Sequence, residues 1–317
     1  MQTLQKNFFY IVTPSFNAAA TIERTIYSII NQKNIPFIRY HIQDGNSTDG
    51  TQDIILKIEN IIKENQSAYS HIQFSWSSEK DSNMYDAIVK GFSKMNIPDM
   101  SFMGWLNADD ILFPNALQKI IKISSDCPEI QWLGGIHCII DEEDNILTKR
   151  SDYYFYPQQI IENGCCDGIH WSYIQQEGSF WRKHLWDSVQ GLNKTLRFAG
   201  DWDLWRRMAQ HSSFMYCPIM TGAFRKRPGQ LSAQPGYAEE ISQLLHIKQR
   251  KKYFMKFLFS NSSINYLQVY NTNGRWCIKN KIYSLHLTRK IRLYLISHGY
   301  IKLLNFLCHV YSIVKKS

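Results

Sequence analysis

Two adjacent carboxylates, Asp109 and Asp110, close the stretch Ser-Phe-Met-Gly-Trp-Leu-Asn-Ala-Asp-Asp that begins at Ser101. Neighbouring carboxylates repel, and a divalent cation shared with substrate phosphates relieves that repulsion. Mg2+ and Mn2+ suit such a pair, because hard cations take one or two protein carboxylates and complete their shell with phosphate oxygens and water. The alternative is a polar turn that caps the helix opened by Pro114. Three further acids stand where chemistry could occur. Asp44 begins the loop Asp-Gly-Asn-Ser-Thr-Asp-Gly, where a carboxylate can accept from a ring N–H or a hydroxyl or fold into an Asx turn. Asp201 and Asp203 open a helical pattern that runs to Gln210, so either serves as a general base or as a helix cap.

The elements around these acids must deliver them to one edge. Phe8 to Thr13 is a β-rich apolar run closed by Pro14, and Ala18 to Gln32 has helical apolar spacing through Ile22, Ile26, Ile29 and Ile30. Ile38 to Gln43 reads as a second strand, followed by a helix over Thr51 to Ile62. His71 to Ser77, Met84 to Met95, Phe102 to Leu106 and Pro114 to Ser125 continue the alternation as strand, helix, strand and helix. That alternation predicts an α/β fold with a mostly parallel sheet flanked by helices and right-handed crossovers. Ligands of such sheets bind at the carboxyl ends of the strands, where Asp44 and the Asp109–Asp110 pair fall.

No Gly-x-Gly-x-x-Gly follows the first strand and no Gly-x4-Gly-Lys-Ser/Thr occurs, which disfavours dehydrogenases and P-loop NTPases. Asp44 to Gly50 fails as a calcium loop, because Thr48 stands at the third acidic position and Ile55 replaces the bidentate Glu. With 317 residues and 44% hydrophobic content, the chain can bury a large core. The polar start Met1 to Asn7 predicts no secretory signal, and the irregularly spaced seven cysteines predict reduced thiols in a cytoplasm. Charge is unevenly spread. Ile241 to Ser317 holds 14 Lys or Arg and no acid, whereas the remaining 22 basic and 27 acidic residues leave Met1 to Glu240 at −5. A basic tail on a mildly acidic body fits an anionic partner. Helical spacing over Ile241 to Phe259 and Lys281 to Val314 predicts a basic helical C-terminal extension over 237–317, lying on anionic lipid or packed against a catalytic domain over 1–236.

Motifs in a fixed order carry a family resemblance. Val12-Thr13-Pro14-Ser15-Phe16-Asn17, Asp44 to Thr51, Ser78-Glu79-Lys80-Asp81 with Tyr85-Asp86-Ala87, and Trp105 to Asp110 follow the order seen in family 2 glycosyltransferases of the GT-A fold. The match continues through Gln176 to Arg182 and Ala199 to Trp205 to Phe224-Arg225, spanning roughly residues 8 to 235. The resemblance implies a metal-dependent, inverting transferase that moves a sugar from a nucleotide-sugar donor to a hydroxyl of a saccharide acceptor, lipid-linked and destined for surface polysaccharide. Thr13, Pro14, Ser15, Asp44 and Asn107 would hold the nucleotide, and Asp81, Asp86 and Asp109 the sugar. Asp110, with Asp109, would hold Mn2+ or Mg2+, and Asp201 would be the base. The basic segment from Phe224 to Ser232 offers Arg225 as a diphosphate clamp. Trp171, Trp181, Trp202 and Trp205 are candidate sugar platforms, with core packing as the alternative.

The chain departs from the family pattern at three points. Gly200 replaces the acid that often precedes Asp201, which leaves Asp203 as a rival base. Asn83 stands where Gly is common, a position read as a left-handed turn. Val89 stands where Asn is common. The rival functions are a sugar-phosphate nucleotidyltransferase, a protein that binds nucleic acid or membrane through its tail, and a silent saccharide-binding scaffold. The first would need a basic glycine-rich loop, and Pro14 to Ala20 has no Gly, Lys or Arg. The expected partners are a nucleotide-sugar, a saccharide acceptor and the inner membrane surface, with no nucleic acid.

Overall fold

The computed structural model describes residues 8–150, 155–228, 230, 236–286, 290, 291 and 294. The alternation read from the sequence is present: β1 (Phe9–Ser15), α1 (Ile22–Ile30), β2 (Ile38–Asp44), α2 (Thr51–Glu64), β3 (Ile72–Ser78), α3 (Met84–Ser93), β4 (Phe102–Trp105), β5 (Ile111–Leu112) and α4 (Ala116–Asp126). Strand β1 is buried along its whole length and pairs in parallel with β2 and β4. Its alternation decides the two cores. Phe9 and Ile11 pack with Ile22, Ile26 and Ile29 of α1 and Ile55 and Ile58 of α2, while Tyr10 and Val12 pack with Tyr85 and Ile88 of α3. Two apolar faces leave a strand no solvated side, which is why β1 reads as a continuous apolar run.

The second half closes the sheet with β6 (Trp132–Gly134), β7 (His137–Ile140), β8 (Ile146–Arg150), α5 (Gln158–Glu162), β9 (Phe180–Arg182), α6 (Lys183–Ser188), α7 (Gly200–Met208), β10 (Met215–Tyr216) and β11 (Gly222–Arg225). After these come α8 (Gly236–Leu244), α9 (Ile247–Ser260), β12 (Ser263–Thr272) and β13 (Arg275–Ser284). Among the described residues the main sheet has nine strands in the order β13-β12-β10-β6-β9-β4-β1-β2-β3, and β5-β11-β7-β8 form a smaller one. Strand β9 alone inserts antiparallel between β4 and β6, and β13 is antiparallel to β12 at the edge.

The tail corrects one expectation. Helices do occupy 236–260, but 263–284 is a β-hairpin, so Lys281 to Ser284 lies in a strand rather than a helix. Asn273 and Gly274 sit at φ 50° and 83° between Thr272 and Arg275, the two-residue turn that Asn-Gly favours. The hairpin joins the catalytic sheet through Tyr216 and Gln268, and Phe254, Phe257 and Leu258 of α9 enter the same core as Trp205. A buried cluster reinforces this docking, with Asp167 accepting from Arg250 of α9 and held 2.8 Å from His170 Nδ1. Of the helix expected to run on to Val314, Lys290, Ile291 and Tyr294 are helical and 295–314 lies outside the described residues, as do Gly229, Leu231 and Ser232 of the basic turn. No helix among the described residues is long and apolar enough to cross a membrane.

Candidate active site

The carboxyl ends of the parallel strands form a continuous polar edge, with Ser15 paired to Asp44 and Asp44 to Ser78 in register. Asp44 is buried, and its oxygens accept from the Ser47 amide (2.9 Å), the Ser47 hydroxyl and the Ser78 hydroxyl (2.7 Å). The loop after β1 is tied to the loop after β2: Asn17 N–H donates to Ser47 Oγ (2.9 Å), Thr48 N–H to Asn17 Oδ1 (3.0 Å) and Ala18 N–H to Thr51 Oγ1 (2.8 Å). Thr13 accepts from Tyr40 Oη at 2.9 Å, and Ser15 Oγ is buried with no protein partner. An orphaned hydroxyl at a strand end is a group left for a ligand. Phe16 stands 66% exposed at the rim.

Asp81 lies against the Gly45 backbone, where a Cβ on that glycine would meet its Oδ2 at 2.6 Å. Burial lifts the Asp81 carboxyl above its ordinary range. Asp86 accepts from Ser82 N–H at 3.1 Å and pairs with Lys90, so it is engaged within its own helix. Asn83 is extended at φ −174° and accepts from the Asp86 amide, so it caps α3 rather than making a left-handed turn. Val89 packs against the apolar core.

Beyond β4 the chain turns back, and Asn107 to Asp110 present two unlike carboxylates. Asp109 keeps 15% of its side chain exposed, and its Oδ2 accepts from Arg227 Nε at 2.8 Å. Asp110 is fully enclosed: Oδ1 accepts from the Arg225 amide at 2.8 Å and Oδ2 from the Asn107 side chain at 3.1 Å. Burial holds the Asp110 carboxyl well above the usual range, helped by the charges of Glu177 and Asp109. Glu177 is likewise pushed up to about 7, chiefly by burial. Two neighbouring carboxyls out of water favour a protonated member. Glu177 reaches this position because Gln176 donates to the Trp105 carbonyl at 2.6 Å, and because Gly178, at φ 78°, lets the chain press against Gly222.

Asp201 stands at the start of α7, and its charge bears on Glu177. Its Oδ1 accepts from the Trp202 amide at 2.7 Å and lies 3.5 Å from Tyr85 Oη, and the residue is half-buried. Burial pushes it up to about 6, and its charge bears in turn on Glu177, Tyr173 and Tyr237. Asp203 is engaged within α7, with Arg207 Nε 2.8 Å and Arg206 3.6 Å from its carboxylate.

Residues 10–189, more than half of the chain, match the family model described as Glycosyl transferase family 2. The chain belongs to this family. Comparison with curated proteins yields no significant match. Among solved structures, this glycosyltransferase resembles S. aureus TarS at 12% identity with a TM-score of 0.55, covering 79% of its own length and 42% of that protein. It resembles the TarS 1–349 fragment in complex with UDP-GlcNAc at 13% identity with a TM-score of 0.57, covering 79% of itself and 71% of the fragment. These likenesses bear on the fold, which is GT-A.

Several expectations for this family 2 enzyme need correction. Arg225 is not available to a diphosphate: its side chain is buried, with Nε donating to the Asp109 carbonyl at 2.7 Å, Nη1 to the Asp141 carbonyl at 2.7 Å and Nη2 to Asp144. It shapes the Asp109–Asp110 turn instead, and the exposed guanidinium beside the acids is Arg227. Asp110, expected as the direct cation ligand, is buried and accepts from the Arg225 amide and the Asn107 side chain, and Asp109 is the more exposed of the two carboxylates. Trp181, Trp202 and Trp205 are buried and Trp171 donates its indole N–H to the Phe155 carbonyl, so none offers an open platform. Glu177 went unassigned in the sequence because only the sheet brings it to Asp110. The hint available was its place in the Gln176 to Arg182 motif.

A divalent cation fits the donor set at one point. Asp109 is a reachable carboxylate, and Asn107 Oδ1 beside it is buried without a protein partner. Among the described residues no group of three or more His, Cys, Asp or Glu is placed to enclose a metal, so an ion here would draw its other ligands from phosphate and water.

Proposed function

We propose that this glycosyltransferase moves a sugar from a nucleoside-diphosphate-sugar to a hydroxyl of a saccharide acceptor, with inversion at the anomeric carbon and Asp201 as the base. The supporting observation is the convergence on Glu177 of two unlike sites, the enclosed Asp110 and the partly open Asp201. Thr13, Pro14, Ser15 and Asp44 form the nucleoside end, where the orphaned Ser15 hydroxyl awaits a partner. Asp81 and Asp86 lie toward the sugar. Asp109 with Asn107 would hold Mn2+ or Mg2+, and such an ion supplies charge neutralisation to the departing diphosphate, a charge developed mainly in the transition state. Arg227 takes the phosphate role expected of Arg225, because its ion pair with Asp109 is exposed and exchangeable.

At the acceptor, the attacking hydroxyl gives its proton to Asp201. A carboxylate held near 6 is ionised at neutral pH yet more basic than a solvated one, as a general base requires. Exposed Lys248, Lys251, Lys252 and Lys256 on α9 and Lys279 and Lys281 on β13 support contact with anionic lipid, and through it a lipid-linked acceptor in surface-polysaccharide assembly at the inner membrane face. The test is thermal stabilisation by UDP-GlcNAc, other UDP-sugars, GDP-mannose and dTDP-glucose, with and without Mn2+. One nucleotide class should stabilise in a Mn2+-dependent way, by about 2.7 kcal/mol at a hundredfold excess over Kd. No stabilisation by any of them would overturn the reading.

A further inference from the structure

We infer that Glu240, on helix α8 and outside the segment matched by the family model, is a positioning residue for Asp201. Its carboxylate accepts from three consecutive backbone amides: Oε1 from Arg197 at 2.8 Å, Oε2 from Phe198 at 2.8 Å and from Ala199 at 2.6 Å. Those residues lead directly into α7, whose cap residue Ala199 has no side chain able to accept a hydrogen bond. A helix start leaves N–H groups unpaired, and an anion there is favoured by both hydrogen bonding and the helix dipole. Glu240 thus anchors, from at least 41 residues downstream, the loop that leads into α7 and its N-cap amide. Hydrogen bonds to an ionised acceptor are stronger than neutral ones, and three on one carboxylate fix the path of the loop.

The constraint passes to the base by a short route. The Phe198 carbonyl accepts from Tyr85 Oη at 2.9 Å, and the same hydroxyl lies 3.5 Å from Asp201 Oδ1. Gly200 makes this approach possible, because a Cβ there would meet the Tyr85 ring at 2.7 Å. The glycine that replaces an acid before Asp201 is therefore needed for the tyrosine contact. Ile241, the next residue of α8, packs with Ala199 and Trp202 on either side of Asp201. Helix α8 grips the catalytic loop with a carboxylate and an isoleucine at once.

The inference rests on the reading of Asp201 as base, and the experiment separates the two. In the full chain, Glu240→Gln, Asp201→Asn and the double variant are compared with whichever of UDP-GlcNAc, GDP-mannose and dTDP-glucose is turned over in the presence of Mn2+. Glu240→Gln keeps the size of the side chain but replaces one acceptor oxygen with a donor. It should lower kcat ten- to a hundredfold, leave the donor KM within twofold, and speed hydrogen exchange of the Phe198 and Ala199 amides at least tenfold. The groups bearing on Asp201 are Tyr85 of α3, Glu177, Tyr173, and Tyr237 and Glu240 of α8. Removing the Glu240 charge makes Asp201 easier to ionise, so the acid limb of the kcat profile should move to lower pH. The double variant should be no slower than Asp201→Asn alone, since a residue that acts through another adds nothing once that one is gone. Glu240→Asp, which keeps the charge, should recover part of the rate. An unchanged kcat in Glu240→Gln beside an inactive Asp201→Asn would overturn the positioning role, as would a loss that multiplies in the double variant. Full turnover by Asp201→Asn would overturn the underlying base assignment instead.

Discussion

Asp44 and Asp201 are two carboxylates held on opposite terms. Asp44 is buried with both oxygens saturated by Ser47 and Ser78, a neighbour three residues on and the adjoining strand. Asp201 has one short bond to the Trp202 amide and a long one to Tyr85, and it keeps a partly open face. A saturated carboxylate holds a shape, and one with spare lone pairs can take a proton. The surroundings of Asp44 are therefore made locally, by consecutive strand ends and their loops. Those of Asp201 are assembled from residues 85, 177, 198 and 240, brought together by the whole fold.

Three perturbations sharpen that contrast. The largest effect on folding should come from Arg225→Ala, which strands the carbonyls of Asp109 and Asp141 and the Asp144 carboxylate. Leaving those acceptors unpaired costs about 1–3 kcal/mol, so the denaturant midpoint should fall accordingly and Mn2+-dependent donor binding should be lost with it. Arg225→Lys should rescue little, since an ammonium cannot reproduce the planar fork.

At Asp201 the sign reverses. The folded protein binds a proton at Asp201 more tightly, at about 6, than the unfolded chain, near the ordinary 3.8. The stability that Asp201 contributes is thus fully present below the unfolded value and lost as pH rises through about 6. Asp201→Asn, which never ionises, should stabilise the fold at pH 8 by about 1–3 kcal/mol, and the gain should vanish below about pH 4. A variant that is less stable at pH 8 would contradict the burial argument. The smallest effect belongs to Arg227→Ala. Its exposed ion pair contributes at most about 1 kcal/mol to folding, so the melting temperature should hold while the donor KM rises about three- to tenfold.

How far the sequence could be read follows the same division. Strands β1 to β4 and helices α1 to α4 announce themselves by periodicity, since each buries a face fixed by residues close in sequence, and the acids at their ends come with them. The hairpin β12–β13 was hidden by the Lys and Arg of the tail, although Asn273-Gly274 between alternating Tyr266, Gln268, Tyr270 and Trp276, Ile278 carries the hairpin signal. Residue type says nothing of enclosure: Asp110 and Arg225 are the more buried acid and arginine and hold the turn, while Asp109 and Arg227 keep some exposure. Glu177 and Glu240 gain their roles only from contacts that span 67 and 41 or more positions, from Asp110 to Glu177 and from Ala199 to Glu240.

The most direct test of a cleft divided between a donor-holding edge and a separate proton acceptor is steady-state transfer by Asp201→Asn, with Mn2+-dependent donor affinity measured on the same preparation. The divided cleft predicts donor affinity within twofold of the parent and a kcat lowered about 10²- to 10⁴-fold. Undiminished turnover, or a loss of rate that merely follows a loss of donor binding, would contradict it.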